Sequence, residues 1–284
     1  MSSESYLGEY TGALRHRCGL AKVRRKPRYR VTAVAHYVAQ RQNRVARALR
    51  AVFAEWSHRW AKVIRTTAER LDLGKAADPS EQILLDVLDS LGVSEFSQDV
   101  ADELLPEMRK AFRKAGVKSA GKVMGHAPKD LVNQLDKLAL RYAQRRAAEL
   151  VGEAGGAWSI TEATRKNLRA TIATGVREGQ SPAELSAAIE ESFAFSESRA
   201  DTIARTELAM SHVQGNVEGW RQTGEVDRKR SILGDLHAEE DECDENAEAG
   251  VVEMDEEFPS GDAFPPYHPN CVCDVLPVLT GEDE

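Results

Sequence analysis

The sequence has little of what a disulfide-built, secreted or membrane-spanning protein needs. Four cysteines occur in 284 residues and one of them, Cys18, stands alone; so sparse a set makes a poor disulfide framework. No apolar run approaches the roughly 20 residues that cross a bilayer. The opening MSSESYLGEY lacks the basic and apolar regions of a secretory signal. The expectation is a protein kept in a cytoplasm, or in an assembly made there. A phosphate-binding Gly loop, an HExxH pair and a nucleophile elbow are missing too. Without a positive catalytic signal, the expectation is a protein that is not an enzyme.

Charge of one sign is missing locally. From Asp235 to Glu284 there is no Lys or Arg, whereas from Arg15 to Arg70 basic residues far outnumber acidic ones. The net charge of -8 therefore hides a basic head and an acidic end. Arg15, Arg17, Lys22, Arg24, Arg25, Lys26, Arg28 and Arg30 are candidate contacts to nucleic acid or to an acidic protein surface, two partners that charge alone does not separate.

What is present is mostly helical periodicity. Residues 1–27 carry little of it and read as a flexible basic arm. Val45, Leu49, Val52, Trp56, Trp60, Val63 and Ile64 then recur at helical spacing, predicting a long amphipathic helix that ends near Gly74. Trp56 and Trp60 share its apolar stripe, which favours core over base stacking. Asp78 and Pro79 predict the start of a short helix. Further helices are expected over about 97–115, 129–152, 160–178, 182–193 and 196–224, with capping boxes at Ser159 and Ser181. After Gly224, the stretches RKRSIL, GVVEM and CVCDVLPVL read as short strands separated by turns. The fold class is α+β: a mainly helical region at 28–152, then a small helix-plus-strand domain at 153–279 and an acidic tail at 280–284. The paired Gly in GEAGGAW mark the boundary.

PPYHPNCVCDV places His268, Cys271 and Cys273 within a few positions. Thiolate and imidazole are zinc ligand types, and Cys243 is a distant fourth candidate. Together these residues would form a structural zinc site clipping an acidic loop to the last strand. Asn246 is a poor ligand, and Asp241, Asp244 and His237 are its candidate substitutes. The other reading is three buried thiols in a small core, with His268 as a turn residue. A catalytic Cys-His pair lacks an oxyanion-stabilising turn. HAEEDECDENAE lacks the EF-hand pattern and reads as a solvated acidic loop. In ADTIARTELA, Asp201 and Arg205 are spaced to pair on one helical face. One reading has Arg205 and Glu207 making polar contacts with the β-unit in a structural polar network; the other, a catalytic Arg/Glu pair, has no cofactor-binding feature beside it.

SPAELSAAIEESF, SRADTIARTELAMSHVQGNVEGW and CDENAEAGVVEMDEEFPSGDAFPPYHPNCVCDVLPV, in that order, resemble the phage Mu F-like head morphogenesis family of minor capsid proteins. The resemblance covers about residues 160–279. The family pattern has Cys-x-x-Cys before His-Pro-x-Cys-Arg-Cys; here Asn246 stands at the second Cys and Val272 at the Arg. It implies a minor head protein acting with the portal during procapsid assembly, inside the head or in the host cytoplasm. Major capsid or scaffold protein and packaged DNA are further candidate partners, and no membrane is implied. Two other readings remain: a nucleic-acid-binding protein working through the basic arm, and a metal-dependent hydrolase or nuclease of toxin type using the Cys/His cluster.

Overall fold

The computed structural model describes residues 33–71, 79–90, 92–152, 159–234, 237 and 240–281. The basic arm, the Asp78 cap, the predicted helix end near Gly74 and the acidic tail beyond 281 lie outside the described residues. The helices are α1 (Ala33–Leu71), α2 (Pro79–Ser90), α3 (Val93–Met124), α4 (Lys129–Val151), α5 (Ile160–Arg177), α6 (Pro182–Glu190) and α7 (Glu197–Arg221), with a 3-10 turn at Phe193–Phe195 before α7. A small unit follows, made of β1 (Val226–Ile232), α8 (Glu242–Glu248), β2 (Val251–Glu253) and β3 (Asp274–Leu279). A mainly helical chain ending in a small helix-and-strand unit is what the periodicity predicts. Among the described residues, no helix is long and apolar enough to cross a membrane.

Helix α1 buries the predicted stripe. Trp60 and Phe53 are essentially inaccessible and pack edge-on or tilted against Phe96 of α3 and Phe195, with ring centroids 5.5–6.3 Å apart. These are the offset geometries aromatic quadrupoles favour. Trp56 joins them and its indole N–H donates to Asp99 at 2.7 Å, so both tryptophans are core residues. Helix α3 is longer than expected, running through Pro106 from Gly92 to Gly125. The flanking glycines adopt left-handed backbone at both ends, and the Lys- and Gly-rich stretch between 113 and 124 hid its final turns from the periodicity.

Helix α7 runs through the middle of the molecule and is buried on nearly every side. Against α3 the approach is backbone to backbone: a Cβ at Gly215 would sit 2.2 Å from the Phe112 carbonyl oxygen, and one at Gly219 would sit 2.4 Å from that of Gly116. Ser119 seals the crossing by donating to the Asn216 carbonyl at 3.1 Å.

The sheet has the order β2-β1-β3 and is antiparallel throughout. Lys229 of β1 is wholly buried; its ammonium donates to the carbonyls of Met254 (2.8 Å) and Glu256 (2.6 Å) and lies 4.1 Å from the Phe264 ring centroid. At the start of β3, the buried Asp274 accepts from the Val34 N–H in the first turn of α1 at 3.4 Å. One apolar cluster extends from Val34 to Val275. The Gly-rich stretch near 152 therefore divides the sequence without dividing the core.

Candidate metal centre

Residues 242–248 of the acidic run form the short helix α8, not the expected solvated loop. Asp241 caps α8 reciprocally with Asp244, and this satisfies the first N–H groups of the turn that carries Cys243. One turn on, Asn246 is fully buried. It donates to Ser260 Oγ at 2.9 Å and accepts from Ser260 N–H at 3.0 Å. Asn246 thus holds the following loop and stands outside the cluster of donors.

The second half of the site hangs on α7. Asn270 has a left-handed backbone, φ 68°, at the turn of His-Pro-Asn-Cys. Its N–H donates to Thr206 Oγ1 at 3.0 Å and its side-chain amide to Thr202 Oγ1 at 3.2 Å. Cys271 N–H closes the turn on the His268 carbonyl at 3.1 Å. The two threonines are positioning residues that sequence reasoning missed; their one-turn spacing on α7 was the available signal.

Cys243, Cys271 and Cys273 are buried free thiols. Cys243 Sγ lies 3.7 Å from Cys271 Sγ and 3.3 Å from His268 Nε2. A disulfide would need about 2.05 Å, whereas two sulfurs on one tetrahedral zinc stand roughly 3.8 Å apart, given Zn–S bonds of about 2.3 Å. Donor atoms of Cys243, His268 and Cys271 lie within 4.8 Å of one another, as do those of His237, Cys243 and Cys273. The four predicted ligands and the candidate substitute His237 are therefore brought together around Cys243.

Both imidazoles are oriented from outside. His268 Nδ1 meets the Pro269 carbonyl at 2.8 Å; a carbonyl only accepts, so Nδ1 carries the proton and Nε2 faces the sulfur. His237 Nε2 meets the Asp244 carboxylate at 2.7 Å, a carboxylate–histidine pairing common at metal sites. Without metal, the hydrogen bond to Cys271 holds His268 protonated, up to about 9. The Cys271 thiol is pushed well below its ordinary range by hydrogen bonds from Cys243 and Cys273, with His268 adding to the effect. Cys243 is pushed far up, chiefly by its hydrogen bond to Cys271. For Cys273, the hydrogen bond to Cys243 pulls down, but Cys271 and burial prevail and raise it to about 12. The donor chemistry fits zinc.

Asp201, Arg205 and Glu207 do not form one network. Asp201 accepts from Arg50 of α1 at 2.9 Å, Arg205 donates to Gln42 at 3.2 Å, and Glu207 takes a two-pronged bond from Arg146 of α4 at 2.8 and 2.9 Å. These residues fasten α7 to α1 and α4, not to the β-unit. The predicted basic-arm contacts, Arg15 to Arg30, lie outside the described residues. A second basic face is described. Arg41 of α1 and Lys114, Lys118 and Lys122 of α3 converge on His212, which burial first and then these charges hold down to about 3.

Residues 166–276, from within α5 to within β3, match the family model described as Phage Mu protein F like protein. The similarity is of this region alone, and it suggests a phage head-related protein. The match falls within the stretch on which the resemblance was read. No curated protein and no solved structure matches the chain.

Proposed function

We propose that the chain is a minor head protein that acts by binding, joining the portal during head assembly, with zinc holding its C-terminal unit. The observation that carries this reading is the Mu F-like region at 166–276. Its fusion into the core of the preceding helices supports a single docking body that presents α1 and α3 to partners. The basic face of Arg41, Lys114 and Lys118 supports contact with packaged DNA or an acidic protein surface. In cells assembling these heads, the protein should sediment with procapsids and cross-link to the portal. An early stop codon in its gene should reduce infectious yield; normal procapsids and unchanged yield without it would overturn the reading.

The zinc has its own test. Cys243→Ser removes the sulfur common to both thiol-containing donor groups. Zinc content should fall to background and residues 242–281 should become protease-sensitive, as when ligand bonds supply part of the folding energy. Elemental analysis with limited proteolysis reads both. Unchanged protection together with no zinc in the wild type would make the cluster ordinary core.

A further inference from the structure

The cluster contains more donors than one zinc uses. Structural zinc is almost always four-coordinate, yet three thiols, two imidazoles and the Asp241 carboxylate converge here. Cys271 interacts with both other thiols and with His268, but the donor atoms do not all lie within 4.8 Å of one another. Two triads contain thiols, Cys243–His268–Cys271 and His237–Cys243–Cys273, and Cys243 is the residue common to both; a third, His237–Asp241–Asp244, adds carboxylates on the His237 side. Cys243 is fully buried in the first turn of α8, which directs it between the two groups.

Asp241 has the same intermediate position. Its Oδ2 lies 3.3 Å from His268 Nε2 and its Oδ1 lies 4.0 Å from His237 Nδ1, so the two oxygens of one carboxylate face different imidazoles. Each imidazole has its own outer acceptor, Pro269 O for His268 and the Asp244 carboxylate for His237. Separate outer partners orient both rings as ligands.

We propose that the site is dinuclear: two divalent thiophilic ions such as zinc, one held by Cys243, Cys271 and His268 and the other by Cys243, Cys273 and His237. The Cys243 thiolate bridges them and the Asp241 carboxylate stands between them. This rests on the zinc clip proposed above and specifies it. Six donors around two ions, two of them shared, give each ion four, which matches the coordination number of zinc. The bridging role also accounts for the placement of Cys243 on a short helix capped by Asp241 itself, since the same turn fixes both shared ligands.

The test is a titration of the full chain, reduced and metal-free, with cobalt(II), following the thiolate-to-cobalt absorption, and with cadmium-113 for NMR. The expected end point is two equivalents, with two cadmium resonances coupled through the shared sulfur. His237→Ala and His268→Ala should each retain one equivalent. An end point at one equivalent, with a single cadmium resonance, would overturn the dinuclear site and leave the clip standing. No metal-dependent absorption would overturn both. The wild-type end point decides even if the variants do not fold.

Discussion

Glu207→Ala is expected to destabilise the protein by about 3–5 kcal/mol, the loss typical when one partner of a buried ion pair is removed. Arg146 and Glu207 are both buried, and the guanidinium meets the carboxylate through two parallel bonds. Burial opposes the Arg146 charge, but the hydrogen bonds and charge of Glu207 outweigh it and hold its pKa above the ordinary range. Without Glu207 the cation loses both of these bonds, and the contact with the partly exposed Glu149, at 3.1 Å, is left to it. Chemical denaturation measures the loss. Replacing both partners, Arg146→Met with Glu207→Leu, should recover much of it, because two apolar side chains leave no stranded charge. A loss under about 1 kcal/mol in the single variant would show that the pair behaves as a solvated one.

Gly215→Ala should also be strongly destabilising, for a steric reason. The added methyl would sit 2.2 Å from a backbone oxygen of α3, an atom that no side-chain rotation can move. Overpacking typically costs about 1–3 kcal/mol and sometimes more. Here the upper part of that range is expected, because α3 and α7 must separate along a seam that also contains Gly116 and Gly219. Gly121→Ala is the matched control on α3. Its nearest neighbour would be 3.6 Å away, so the change should be neutral or stabilising by roughly 0.5–1 kcal/mol through helix propensity. Thermal unfolding of the two variants separates them, and equal behaviour would refute the close-crossing argument.

The helices and the strands were legible because each rests on local chemistry. Ser181 and Glu184 form the full reciprocal cap that their spacing predicts, and Ser159 accepts from the Glu162 N–H. GVVEM and CVCDVLPVL contain β2 and β3, and RKRSIL covers β1 except for Val226 and Asp227. Gathering Cys243 with His268, Cys271 and Cys273 was legible from residue type. The partners of Arg205 and Glu207 were not: Gln42 and Arg146 lie 163 and 61 positions away, and no local pattern encodes such distances. The acidic stretch misled because its charge spoke for solvent, while Asp241 and Asp244 were three apart and able to cap a turn. Nor does composition reveal that α3 and α7 touch through glycine.

The hydrogen bond from Val34 to Asp274 spans 240 positions. During synthesis, the first turn of α1 must wait for an acceptor that follows it 240 positions later. Long-separated pairings of this kind slow folding and leave unfinished surfaces open to wrong partners. A chain cut short before residue 274 would keep most of its helices yet lack the residue that fastens their beginning, so the molecule can complete its fold only when synthesis has passed its cysteines.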